Sequence, residues 1–162
     1  MPEKETIARA RRDRRAGKSA STQAGEFVRE EIHHVREGKH GARSPKQAIA
    51  IGLSKARRAG VKLAPPEKGQ TSEETRRSAQ HAISRSRSRR RPSTRRSRAV
   101  RTALRREGRS AASRRSLSRQ ASMTARRRGT GSLKAAARKA ARTKGRAVRV
   151  AAARQAARTR KK

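Results

Sequence analysis

Large apolar side chains are scarce in this chain, and their scarcity limits where a packed core can form. Hydrophobic residues make up 30% of the 162 residues, and Phe27 is the only aromatic one. The densest group of bulky apolar side chains lies between residues 21 and 63. A folded segment must bury enough apolar area to offset the conformational entropy that the chain loses. The sequence therefore predicts one small folded segment, residues 21–63, flanked by basic arms.

Apolar spacing within residues 21–63 predicts two short helices, at about 22–37 and 45–59, joined by the loop GKHGAR. A connection this short favours antiparallel packing, so we expect a helical hairpin. On a helical wheel the apolar residues of each helix share one face, whereas Glu30, Glu37, Lys55 and Arg58 point away from it. The predicted hairpin core consists of Val28, Ile32, Val35, Ile49, Leu53 and Ala56.

Both helices carry start and stop signals. Ser44, Pro45 and Gln47 form a predicted capping box, with Pro45 at the first helical position. Gly38 and Gly60 suit the left-handed conformation that ends many helices. Gly52, on the apolar face of the second helix, would allow another helix to approach closely.

The predicted fold class is all-α, with largely disordered or conditionally helical basic arms. Residues 1–20 form an N-terminal arm, residues 64–75 a linker, and residues 76–162 a tail that is Arg/Ser-rich and then Ala/Lys/Arg-rich. The run 84–98 is expected to be extended or disordered. Because a hairpin of this size is near the lower limit for independent folding, we expect either a third helix packing on it or self-association as a homodimer, with Ile51 as a possible contact.

The charge predicts a polyanionic partner. Lysine and arginine total 49 against 11 acids, which gives a formal net charge of +38. From residue 76 onward there are 32 basic residues and a single acid, Glu107. Arginine binds phosphate through its planar fork, and neither arginine nor lysine reads a base sequence through phosphate contacts. With no surface aromatics to stack on bases, duplex DNA is favoured as the partner, and RNA remains possible.

The candidate nucleic-acid-binding residues are lysines and arginines of the second helix, of the loop that precedes it and of the tail. The start of the second helix could also bind a phosphate through its backbone N–H groups, although a structural or dimerising role is the favoured alternative. The candidates are Lys39, Arg43, Lys46, Lys55, Arg57, Arg58, Arg85, Arg87, Arg89, Arg90, Arg91, Arg95, Arg96, Arg126, Arg127, Arg128, Lys134, Arg138, Lys139 and Arg142.

Other chemistry has little support in the sequence. The chain has no cysteine, so disulfides and thiolate metal sites are excluded. The GKS at residues 17–19 lacks the first glycine of a phosphate-binding loop. A weak metal site at His33, His34 and His40, with Glu30 and Glu37, is the less favoured alternative to simple charge pairs. We expect no enzyme activity, no cofactor, no small-molecule substrate and no membrane segment.

One stretch resembles a known family. The block STQAGEFVREEIHHVREGKHGARSPKQAIAIGLSKARRAGVKLAPP, residues 21–66, resembles small basic bacterial proteins that share a domain of unknown function. The resemblance implies a bacterial cytoplasmic protein and supplies no catalytic residues. In composition the tail is similar to linker-histone-like bacterial proteins, and the run 84–98 is similar to protamines and splicing-factor tails. The predicted function is sequence-nonspecific DNA binding and compaction by a histone-like protein of the bacterial nucleoid, with an RNA- or ribosome-associated role as the alternative.

Overall fold

A computed structural model describes residues 2–86 and 93–160, and within them the protein is all-helical. It divides into two compact units, Met1–Leu117 and Ser118–Lys162. The elements in chain order are α1 Lys4–Arg15, α2 Ala20–Glu37, α3 Pro45–Arg58, α4 Glu73–Ser86, α5 Thr94–Arg106, a 3₁₀ turn Ser110–Ala112 and α6 Arg114–Arg160.

The hairpin α2–α3 forms with the predicted start signals. Ser44 caps α3, since its Oγ accepts a hydrogen bond from the Gln47 N–H at 3.2 Å. The Gln47 side chain returns to the N–H of Arg43 at 2.7 Å, one residue earlier than in a standard capping box. Helix α2 begins at Ala20, slightly before the predicted start at about residue 22, and Ser19 is its N-cap.

Left-handed glycines end both hairpin helices, as predicted. Gly38 has φ 77° and Gly60 has φ 87°. After α2, the Lys39 N–H donates to the His34 carbonyl at 3.0 Å, and after α3 the Val61 N–H donates to the Ala56 carbonyl at 3.1 Å. These bonds satisfy carbonyls that a helix end would otherwise leave unpaired.

The two hairpin helices approach each other closely at Gly52. A Cβ added there would lie 2.7 Å from the Val28 Cα and 3.0 Å from the Phe27 carbonyl oxygen. Only a residue without a side chain fits, so the predicted role of Gly52 in close helix packing is confirmed.

The buried face of α2 is rotated relative to the prediction. Phe27, Glu31 and Val35 are fully buried, whereas the predicted core residues Val28 and Ile32 are half-buried. On α3 a stripe centred on Ala48, Gly52 and Ala56 is buried, and Ile49 and Leu53 are half-buried. The small residues face the neighbouring helix because they allow the backbones to approach, while the larger ones flank the contact.

Helix α1 closes one end of the hairpin, so the N-terminal arm is folded rather than frayed. Its Ala10 is buried with Ala24, Phe27 and Ala56, and Ile7 packs against the same cluster. Arg9 Nε donates to Glu26 at 2.8 Å, which ties α1 to α2 through an ion pair. The expected third helix on the hairpin therefore exists, and it comes from the predicted arm.

The tail closes the other end of the hairpin. Ala111 and Ala112 of the 3₁₀ turn are buried with Val35, Ala42 and Ala48 in a second core cluster. Backbone bonds join the same parts of the chain: the Gly41 N–H donates to the Leu104 carbonyl at 2.8 Å, and the Ala42 N–H to the Gly108 carbonyl at 3.0 Å.

The first tail helices also correct the prediction for the run 84–98. Helix α4 packs on α3 and buries Ala79 and Ala82, and α5 starts at Thr94. Residues 84–86 and 94–98 are thus helical, while residues 87–92 lie outside the described residues. The prediction of largely disordered arms is wrong for the described part of the chain.

The second unit is described through residue 160 and is helical. Helix α6 is interrupted at Gly129, with φ 71° and ψ 164°, and at Gly145, with φ 64° and ψ 169°. The alanine-rich sequence between these breaks has high helix propensity, as expected. Among the described helices, α6 included, no segment has the length and apolar character needed to cross a membrane.

Candidate nucleic-acid interface

The tail helices expose nine of the candidate basic residues to solvent. On α5 Arg95 and Arg96 are exposed. The candidates on α6 are exposed as well, because the helix has no large apolar face to bury. These are Arg126, Arg127, Arg128, Lys134, Arg138, Lys139 and Arg142.

The second unit carries charge of a single sign. Its 45 residues contain 16 lysines and arginines and no aspartate or glutamate. Lys134, Arg138 and Arg142 follow one another at four-residue spacing in the stretch between the two glycine breaks. Like charges at this spacing destabilise an isolated helix, so the unit gains from any anion that neutralises them.

The loop before α3 and the first turn of α3 are basic, but fewer of their side chains and N–H groups are available to a phosphate than predicted. Arg43 and Lys46 are exposed. Lys39 lies 3.1 Å from Glu37 and 3.3 Å from Glu3, and hydrogen bonds to these carboxylates raise the pKa of the lysine. Pro45 has no N–H and the Gln47 N–H is bound to Ser44, so at most the Lys46 N–H remains for a phosphate at this helix start.

Lys55 points into the protein, contrary to the outward placement predicted for it. Its Nζ lies 2.6 Å from Glu31 Oε2 and 3.3 Å from Glu30 Oε1, and the side chain is 15% exposed. Both carboxylates are essentially buried, at 0% and 1% exposure of their side chains. Lys55 therefore forms ion pairs with two buried acids.

Arg57 is also internal. It is 7% exposed, and its guanidinium donates to the carbonyls of Leu63 at 3.3 Å and Ala64 at 3.2 Å. Burial lowers the pKa of Arg57, because the charged form loses hydration. These bonds hold the chain after α3 against the helix. Its neighbour Arg58 is exposed, as predicted.

The remaining candidates lie around the α4–α5 connection. Arg85 is half-buried near the end of α4. Arg87, Arg89, Arg90 and Arg91 fall outside the described residues.

Sequence reasoning missed the buried acids of α2. Glu31 lies midway between Phe27 and Val35, four residues from each, so all three share one helix face. That spacing was the available signal. It was overlooked because a glutamate is rarely buried without a partner, and the partner, Lys55, comes from another helix.

The histidines divide into two groups. His33 Nδ1 lies 3.1 Å from Glu37 on the exposed side of α2. His34 and His40 instead face each other edge to face, with ring centroids 6.1 Å apart, and Glu31 joins them. Of the residues predicted for a weak metal site, His34 and His40 belong to this cluster, and Glu31 takes the place of Glu30 and Glu37 in it.

A comparison with known protein families matches one segment of the chain, and this segment contains the hairpin. Residues 11–68 match a family of unknown function (DUF6496). The matched segment begins inside α1, includes α2 and α3, and ends before α4. Searches of curated proteins and of solved structures return no match. The match is in line with the resemblance to proteins that share a domain of unknown function, and the basic tail lies outside the matched segment.

Proposed function

We propose that this protein binds duplex DNA through its phosphates, without base-sequence preference, and compacts it as a histone-like component of the bacterial nucleoid. The observation that supports the proposal most is the charge of the second unit, with 16 bases and no acid. A helical surface of this kind has no internal counterion and is complementary to a polyanion.

The expected binding energy comes from counterion release. Duplex DNA carries about one negative charge per 1.7 Å of axis, and each neutralised phosphate frees condensed cations. The row from Lys134 to Arg142 is about 12 Å long at 1.5 Å per residue, so a duplex laid along it would present about seven phosphate charges. Affinity should consequently be high at low salt and fall steeply as salt rises.

Readout of a base sequence has little support. Phe27 is the only residue of the Phe, Tyr and Trp class and is 1% exposed, so the chain offers no large aromatic surface for stacking on an unpaired base. The exposed lysines and arginines lie along helices and suit phosphate contacts, which carry no sequence information directly.

The first unit would then serve as an anchor. Helices α1 and α4 and the 3₁₀ turn pack against the hairpin. Hydrogen bonds from the Gly41 and Ala42 N–H groups to the Leu104 and Gly108 carbonyls attach that part of the tail to the hairpin loop. Because the folded first unit is joined to a cationic helix, the basic residues of one protein molecule can contact several DNA phosphates at the same time. Compaction follows when neighbouring duplex segments share these contacts.

A gel-shift series with a 30-base-pair duplex of mixed sequence tests the proposal. The expected result is binding at low salt, a steep linear decrease of log affinity against log salt, and equal competition by unrelated duplexes. Undetectable binding at low salt, or affinity independent of salt, would refute it. A structured RNA of equal charge is the second competitor, and a strong preference for that RNA would instead support the ribosome-associated alternative.

A further inference from the structure

Three potential metal ligands converge where α2 meets the loop that leads to α3. Glu31 and His34 lie on α2, three residues apart, and His40 lies in the loop. One carboxylate oxygen and one ring nitrogen from each histidine all fall within 4.8 Å of one another. Glu31 is 0% exposed, and the side chains of His34 and His40 are 12% and 16% exposed. The group is thus nearly closed to solvent.

The Glu31 carboxylate is aimed into this cluster without adequate hydrogen bonds. Neither oxygen has a hydrogen-bond partner of acceptable geometry among the described residues, although Lys55 Nζ lies 2.6 Å from Oε2. A buried carboxylate normally accepts several directed bonds, because its hydration is costly to lose. Lys55 compensates charge at one oxygen and leaves Oε1 for a further cation.

The ring of His40 points to the same conclusion. Its Nδ1 lies 3.1 Å from the Gly41 carbonyl oxygen. A carbonyl only accepts, so Nδ1 carries the hydrogen, and Nε2 of the neutral ring presents a lone pair. That Nε2 lies 3.3 Å from Glu31 Oε1. Two lone-pair atoms at this distance repel unless a proton or a metal ion lies between them.

His34 favours the metal ion over the proton. A shared proton would need only Glu31 and His40, yet a second imidazole converges on the same point. His34 Nε2 also lies 2.8 Å from Glu3 Oε1. A carboxylate that holds one ring nitrogen in this way orients the ring and leaves the other nitrogen as a lone-pair donor, as in many zinc sites.

We propose that Glu31, His34 and His40 bind Zn²⁺, with water at the fourth position. Two imidazoles and a carboxylate are ligands that zinc accepts in tetrahedral geometry. With Glu30 and Glu31 facing Lys55, the surrounding charge is net negative and accommodates a dication. Glu3 is the outer-shell partner of His34.

Bound zinc would restrain the α2–α3 loop, which is hydrogen-bonded to the tail. His40 directly precedes Gly41 and Ala42, whose N–H groups bind the Leu104 and Gly108 carbonyls. A metal joining His40 to α2 restrains this loop, and the segment 104–108 with it. The site lies within the segment that matches the family, residues 11–68. It is independent of DNA binding, so either proposal can fail alone.

The test uses the full chain, freed of nucleic acid and metal, titrated with Co²⁺ and then Zn²⁺. We expect one equivalent of Co²⁺ with the strong visible absorption of a tetrahedral site, displaced by Zn²⁺, and a Zn²⁺-dependent rise in Tm. His40→Ala and Glu31→Gln should each abolish the band and the rise in Tm. Glu3→Ala should weaken Zn²⁺ affinity by about 10- to 100-fold.

His33→Ala and His81→Ala are the matched controls, because neither residue belongs to the cluster. Both should bind Co²⁺ as the unmodified chain does. Far-UV circular dichroism of every variant identifies those that remain folded, and the isosteric Glu31→Gln preserves side-chain volume. Absence of a tetrahedral band in the unmodified chain would overturn the proposal. Equal weakening by His33→Ala and His40→Ala would overturn it as well, since it would indicate diffuse surface binding.

Discussion

Lysine and arginine have different environments in the two units. All 11 acids of the chain lie in the first unit, and several are buried against bases. Lys55 there forms ion pairs with Glu30 and Glu31. In the second unit Lys134 is exposed, and no acid occurs in the sequence around it.

The difference shows that net charge alone does not identify a binding surface. A lysine or arginine next to a buried acid stabilises the fold, and its removal should reduce stability. A base on a helix without acids contributes repulsion to the free protein and attraction to a polyanion. The two units should therefore respond differently to the same kind of substitution.

The largest effect is expected from neutralising the second unit. Replacing seven exposed bases with glutamine should weaken duplex binding by about 10³-fold at moderate salt and lower the slope of log affinity against log salt by about six. Gel shifts at four salt concentrations measure both. The residues are Arg126, Arg127, Arg128, Lys134, Arg138, Lys139 and Arg142.

The control replaces seven exposed bases of the first unit. Since acids of the same unit already offset part of their charge, the loss of affinity should be clearly smaller. Equal losses from the two sets would remove the functional distinction between the units. The control residues are Arg11, Arg12, Arg14, Arg15, Arg29, Lys62 and Lys68.

Lys55→Met should strongly destabilise the first unit. It leaves Glu30 and Glu31 buried without a cation, so the free energy of unfolding should fall by about 3 kcal/mol. Urea denaturation followed by circular dichroism measures the change. Arg58→Met, on the exposed side of the same helix, should shift it by less than about 0.5 kcal/mol. A neutral Lys55→Met would show that the buried pair does not stabilise the fold.

Gly52→Ala should cost about 2 kcal/mol, because the new methyl group has no room beside the Val28 backbone. Gly25→Ala is its counterpart in the same hairpin. No atom lies within 4 Å of a Cβ added at Gly25, so alanine there should stabilise α2 by about 0.5 to 1 kcal/mol. Chemical denaturation of both variants compares them directly, and a shared sign would contradict the close helix crossing.

The smallest effect concerns the exposed Glu37. Hydrogen bonds from Lys39 and then His33 lower the pKa of its carboxyl group. A lowered folded-state pKa contributes stability above the ordinary value, and the contribution disappears as pH falls through the lowered one. Glu37→Gln should therefore reduce Tm slightly at pH 7, and this reduction should become smaller as the pH falls below the ordinary range of a glutamate carboxyl. A reduction that stays constant as the pH falls through the titration of this carboxyl would point to a cause other than this charge pairing.

Local signals along the chain were sufficient to predict the hairpin. Ser44, Pro45, Gly38 and Gly60 act within a few residues of themselves, so their roles depend little on the remainder of the fold. Gly52 was also predictable, because a glycine is costly inside a helix and on an apolar face it lets a second helix come close. The same reasoning identified the exposed basic residues of the tail, where the scarcity of acids is evident from the sequence.

The orientation of α2 and the position of Lys55 depend on contacts between elements. Helical periodicity fits either a face centred on Val28 and Ile32 or one centred on Phe27, Glu31 and Val35. The second face is buried because α1 covers Phe27 and α3 supplies Lys55 to Glu31. No rule of local spacing contains that information.

The sequence alone determined that this chain is helical, strongly cationic and divided between an apolar hairpin and a tail with a single acid. Composition and short-range spacing act before any long-range contact forms, so these three properties can be read directly. Tertiary structure decided which bases are internal, and it joined Gly41 and Ala42 to a segment more than sixty residues away. It also brought Glu31, His34 and His40 together, because burial and convergence arise only when helices pack.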